Sequence, residues 1–158
     1  MASEKDLRGD DRSPYRLSAE RRRAYEAATY RVAAEPAPFF LRVGDRCGEL
    51  DRRLEALGAS RFAFLTAANP RSQPLSAAEN EARHRRLIAR VRDSGRVMLP
   101  GDSFEAGTGA WREASLLVVD IDCRSAVALA RDFEQSALLV GALGEPVRLV
   151  ETCVDSSD

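Results

Sequence analysis

Short apolar runs alternate with longer amphipathic stretches along this chain, and that pattern predicts mixed helices and strands. Ser18 can cap a helix reaching about Ala27, with Tyr25 as its anchor. Thr29 to Ala34 and Phe39 to Val43 alternate at the two-residue period of strands, joined through Glu35-Pro36-Ala37-Pro38. A helix opened by Gly44-Asp45 carries the stripe Cys47, Leu50, Leu54 and Leu57, and Gly58 is a natural left-handed stop. Arg61 to Ala67 is an apolar run with two phenylalanines, of a length that suits a buried strand. Asn69-Pro70 ends it, because proline disfavours helix at the residue before it and cannot donate to a ladder. Ser76-Ala77-Ala78-Glu79 then forms a capping box, opening a helix to about Asp93 that Ser94-Gly95 terminates.

The second half repeats the theme. Arg96 to Leu99 reads as a short strand closed by Pro100-Gly101, and Gly101 to Ala110 as a flexible glycine-rich loop. Ala114 to Ile121 has the character of a central strand. Asp122 caps a helix with the stripe Ala126, Leu129, Ala130 and Phe133, and Ser136 to Gly141 with Pro146 to Val150 form a final hairpin. From Arg61 onward the order is strand, helix, strand, strand, helix, strand. That is the α+β order of a ferredoxin-like βαββαβ core, with an N-terminal helix, hairpin and extra helix extending or covering the sheet. The competing arrangement is a mixed α/β sheet in which Phe39 to Val43 and Arg61 to Ala67 pair in parallel. Either way residues 14–152 are expected to make one globular domain, between a charged, disordered tail over 1–13 and a frayed acidic tail over 153–158.

Composition narrows the function classes. A net charge of −1 argues for neither nucleic acid nor an anionic membrane. The basic residues are nearly all arginine, but the Arg21-Arg22-Arg23 cluster is flanked by Glu20 and Glu26, as on a solvated face. Cys47, Cys123 and Cys153 form no CxxC pair, and His84 is the one imidazole, so no metal site is expected. No apolar run approaches the roughly 20 residues of a membrane span, and Met1 to Arg12 has no signal-peptide core. A cytoplasmic protein with reduced thiols is expected. GxGxxG, the phosphate-loop pattern, GxSxG and HExxH are all absent, and no cofactor is implied.

Candidate chemistry gathers where the Arg61 to Ala67 run ends. Asn69, Ser72 and Gln73 lie on the following loop, beside the helix start at Ser76. Asn80, His84, Leu87, Ile88 and Val91 share one helix face, with Arg83 one step away. Trp111 and Glu113 enter the next strand from the glycine-rich loop, and Ser115 and Gln135 are polar residues at element ends. The candidate ligand-binding set is Asn69, Ser72, Ser76, Asn80, Arg83, Trp111, Glu113, Ser115 and Gln135. The leading expectation is a domain binding a small anionic or nucleotide-like ligand at the Asn69-Pro70 loop and the Ser76 helix N-terminus, where backbone amides favour an anion. One alternative is a metal-independent hydrolase or transferase using His84 or Glu113 as acid or base. The other is a partner-binding module presenting a sheet edge or the Arg21-Arg22-Arg23 helix.

These stretches resemble an uncharacterised bacterial family, domain of unknown function 3293. The shared phrases are "aFlTAxNP", "LSxxxNxxR", "WxExSxxV" and "A…LAxxFxQxA". Here they are Ala63 to Pro70; Leu75-Ser76 with Asn80 and Arg83; Trp111, Glu113 and Ser115; and Ala126 to Ala137 with Phe133 and Gln135. The resemblance runs from about Tyr25 to Val150 and implies no particular reaction.

Overall fold

The computed structural model describes residues 16–153; the expected tails lie, but for Cys153, outside them. Among the described residues four α-helices and seven strands, with a 3-10 turn over Pro70–Ser72, make an α+β fold around one sheet. In chain order they are α1 (Ala19–Ala27), β1 (Thr29–Val32), β2 (Phe39–Leu41), α2 (Gly48–Ala56), β3 (Arg61–Thr66), α3 (Ala77–Asp93), β4 (Met98–Phe104), β5 (Glu113–Val119), α4 (Cys123–Asp132), β6 (Ala137–Ala142) and β7 (Arg148–Glu151). The strands lie in the order β2-β1-β4-β5-β3-β6-β7, each neighbouring pair antiparallel. The parallel pairing of β2 with β3 does not occur: β2 sits at the sheet edge beside β1, and three strands separate it from β3. The parallel element among the described residues is a bridge between Val43 and Val147, which draws the two ends of the curled sheet together.

Helix starts follow their caps. Ser18, Ser76 and Asp122 accept from the backbone N–H of Arg21, Glu79 and Ser125, and Glu79 returns a bond to the Ser76 N–H. Among the described α-helices, α2 lacks such a cap; it begins at Gly48 after Cys47, later than Gly44-Asp45 suggested.

Strand periodicity splits the core into two layers. On one face Phe62, Phe64, Leu117, Leu139, Tyr30 and Val32 pack against Leu50 and Leu54 of α2 and against Leu17 and Tyr25. On the other, Ala63, Leu65, Leu116, Val118, Leu138 and Val140 meet Leu87 and Val91 of α3 and Ala126, Leu129 and Ala130 of α4. Burying each leucine in such a layer contributes about 1.5–3 kcal/mol.

The expected strand over Arg96 to Leu99 and loop over Gly101 to Ala110 need correction. β4 begins at Met98 and continues through Pro100-Gly101 to Phe104. Proline is tolerated because its carbonyl accepts from the Ala33 N–H at 2.8 Å, past the last β1–β4 pair, Val32 with Gly101. Its missing donor thus faces β1 beyond the ladder. Gly101 is required by close approach: a Cβ there would collide with the Arg31 carbonyl and stand 3.0 Å from Phe64 Cε2. The connecting loop shrinks to residues 105–112.

α1 has no fully buried residue of its own. It is fastened instead by Leu17 and Ala28 at its two ends, by an Arg22–Glu151 ion pair at 3.1 Å, and by Tyr30, whose hydroxyl donates to the Tyr25 carbonyl at 2.5 Å. These ties hold α1 over the ends of β3 and β5. No helix of the described residues is long and apolar enough to cross a membrane.

Candidate functional site

The rows of side chains on the α1 face change character along the strands. Phe62 and Phe64 give way to Thr66 on β3, and Leu117 gives way to Ser115 and Glu113 on β5, in register Phe64 with Leu117 and Thr66 with Ser115. An apolar sheet therefore ends in a polar rim beneath α1. Between that rim, α1 and the loop after β3 opens a cleft of about 330 Å³, lined by Arg21, Ala24, Tyr25, Asn69, Ser72, Pro74, Trp111 and Glu113. Behind Tyr25 and Glu113 lies a smaller void of about 30 Å³, bordered also by Tyr30, Thr66, Ser103, Ser115 and Gln135. That is room for about one water.

Asn69 organises the cleft. Its Oδ1 accepts from the Leu75 N–H at 3.0 Å and from Asn80 Nδ2 at 2.8 Å, while its Nδ2 donates to Glu113 Oε2 at 2.8 Å. Its own N–H donates to Asn80 Oδ1 at 2.9 Å. The two asparagines thus exchange hydrogen bonds and lock a loop in which Asn69, Arg71 and Ser72 all have positive φ, at 48°, 53° and 60°. Trp111, at the opposite rim, has φ 42°. Such backbone costs on the order of 1–3 kcal/mol per residue and is kept where surrounding contacts over-determine it.

The loop is also fastened from below. Arg83 donates through Nε to the Ala67 carbonyl at 2.6 Å and through Nη2 to the Phe133 carbonyl at 2.5 Å. Gln135 Nε2 donates to the Ala68 carbonyl at 3.0 Å. The Arg71 N–H donates to the Glu134 carbonyl at 2.7 Å, and the two side chains pair at 3.2 Å. The end of α4 is in this way stitched to the β3–α3 loop.

Of the residues singled out from the sequence, Asn69, Ser72, Trp111 and Glu113 line the cleft, and Ser115 and Gln135 line the void behind it. Ser76, Asn80 and Arg83 do not. Ser76 is occupied by its exchange with Glu79, and Asn80 and Arg83 hold the loop backbone. His84 is not brought to Glu113 at all. Its stripe continues into Leu87 and Val91, which pack on the opposite face of the sheet. Its Nδ1 is buried without a partner, and burial lowers its pKa below 6.5.

Arg21 and Tyr25 complete the lining and were missed as site residues. They stand four apart on α1 and so share one face, a spacing visible in the sequence, but nothing local shows that α1 folds back over β5.

Electrostatically the cleft is unusual in this arginine-rich chain. Glu113 is half-buried, and burial pushes its carboxyl above the ordinary range, with the Asn69 hydrogen bond opposing the shift. Burial likewise raises the Tyr25 phenol, opposed by a Ser72 hydrogen bond. Tyr25 and Trp111 meet edge to face, centroids 6.5 Å apart at 73°. Trp111 keeps 41% of its surface exposed. Among the described residues no group of three or more His, Cys, Asp or Glu side chains is placed to hold a metal.

No curated protein and no solved structure matches the chain. Residues 65–138, from β3 into β6, match the model of a family described as protein of unknown function (DUF3293). That span carries Asn69, Asn80, Arg83, Trp111, Glu113 and Gln135 but leaves out α1 with Arg21 and Tyr25. Over that span, the chain is similar to the DUF3293 family.

Proposed function

We propose that this chain is a small-molecule-binding domain whose ligand occupies the cleft between α1, the Asn69–Pro74 loop and Trp111–Glu113. The observation that carries this reading is Glu113: a half-buried carboxylate at the cleft floor whose one side-chain hydrogen-bonding partner among the described residues is the Asn69 amide. A group in that state costs stability unless a ligand completes its shell. The positive-φ residues on both rims and the half-exposed Trp111 support the same location. The capping box occupies the Ser76 and Glu79 N–H groups at the start of α3, which directs this reading to the cleft side of the loop. The strand order β4-β5-β3-β6, with α3 and α4 on one face, supports reading the core beneath the site as ferredoxin-like. The free thiols of Cys47, Cys123 and Cys153 support a cytoplasmic setting.

A second reading makes Glu113 a general acid or base acting on a molecule bound in that cleft. Its support is the burial that holds the carboxyl above the ordinary range, where it can exchange a proton nearer neutral pH. His84 does not belong to that reading.

A thermal-shift screen of nucleotides, amino acids and small carboxylates against the full chain tests the main proposal. The expected result is a raised midpoint with at least one class, lost in Glu113→Ala. No shift with any class would refute it.

A further inference from the structure

We propose that the cleft is built for a zwitterion, an amino-acid-like molecule whose ammonium group meets Glu113, whose carboxylate meets Arg21, and whose apolar side chain lies against Tyr25 and Trp111. This rests on the ligand-binding reading above and adds the ligand's chemistry to it.

Acids bordering this region find arginines: Asp102 is held by Arg31 and Arg112, Glu151 by Arg22, and Glu134 by Arg71 and Arg83. Glu113 finds none among the described residues; its bond is to a neutral amide. Arg21, lining the same cleft, has no carboxylate within ion-pairing distance among the described residues, and it does not pair with Glu113. Two opposite charges therefore face one hollow without meeting.

That arrangement selects against simple ions. A small anion drawn to Arg21 is opposed by Glu113, and a small cation drawn to Glu113 is opposed by Arg21. A molecule carrying both charges satisfies both groups, and the gain grows because the Glu113 end is partly removed from water. The two rings add to the selection. Standing nearly perpendicular at 73°, they offer an apolar corner for a side chain and a favourable face for an ammonium group. A cleft of about 330 Å³ suits a molecule of that size.

Trp111 is the one tryptophan in the chain, so its fluorescence reads the cleft directly. The test titrates the full chain with L-phenylalanine and L-leucine, with phenethylamine and 3-phenylpropanoate as the amine-only and carboxylate-only halves, and with adenosine monophosphate. Thermal shift serves as the second readout. The amino acids are expected to bind at least tenfold tighter than either half. Glu113→Gln, which keeps an acceptor for Asn69, should weaken the amino acids and the amine but spare the propanoate. Arg21→Gln should weaken the amino acids and the propanoate but spare the amine. If a half-molecule binds as tightly as the whole, or only the nucleotide binds, the zwitterion assignment is overturned while the ligand site stands. If no probe changes either readout, both fail.

Discussion

Asn69 and Glu113, 44 positions apart, are joined by a 2.8 Å hydrogen bond from the asparagine Nδ2 to the glutamate Oε2. The bond ties the loop after β3 to the start of β5 and fixes the carboxylate at the cleft floor. Asn69→Ala removes three side-chain hydrogen bonds and leaves a β-carbon at positive φ. It should lower unfolding free energy by about 2–4 kcal/mol in urea. Asn80→Ala should cost about 1–3 kcal/mol. Because the two residues exchange bonds, the double variant should lose less than the sum, with a coupling of at least about 0.5 kcal/mol. Strict additivity would show that the exchange is not made.

Glu113 should make the protein less stable as pH rises. Its folded pKa lies above its unfolded value, so the native state holds the proton longer. Stability is greatest below the unfolded pKa and falls as pH climbs through the raised one. Glu113→Gln should therefore raise the melting temperature at pH 7 and have a smaller effect at pH 4, where the unfolded state is also mostly protonated. A variant that is destabilised equally at both pH values would contradict the burial argument.

His84 titrates in the opposite sense. Burial holds its folded pKa below 6.5, so its contribution is present above that value and is lost as pH falls through the folded pKa. As the only histidine it gives a single imidazole NMR titration. The midpoint should lie below 6.5 and be unmoved by Glu113→Gln, since the sheet stands between the two. A coupled shift would place the two side chains together.

Much of this was legible in local sequence. Capping boxes and stops found the helices because Ser76 with Glu79, Asp122 and Gly58 act within a few residues. β4 was cut short because Pro100-Gly101 ordinarily ends a strand, and only its place beside the end of β1 makes it permissible. Asn69 on the loop and Glu113 at the start of β5 were legible as candidates. Helical periodicity put His84 on the same face as Asn80, but a shared face does not give depth. One turn further down, that face has passed from the strand ends to the far side of the sheet. Arg21 and Tyr25 were hidden for another reason: their role depends on a tertiary contact between α1 and β5 that no local pattern encodes.

The sheet itself carries a separate prediction. A Cβ at Gly141 would lie 2.6 Å from Phe62 Cε1, and Gly101 is equally confined by Arg31 and Phe64. Gly101→Ala and Gly141→Ala should each cost about 1–3 kcal/mol by chemical denaturation, by overpacking. Unchanged midpoints would mean the two phenylalanine rings are not seated over these glycines.

The cleft as a ligand site is tested most directly by two-dimensional NMR of the labelled full chain against the amino-acid, nucleotide and carboxylate panel. The account predicts that a binding compound moves the Trp111 indole N–H and the Asn69 side-chain amide together, and that Glu113→Ala abolishes the movement while the rest of the spectrum stays folded. Binding that leaves those two signals in place, or that survives Glu113→Ala, would contradict it.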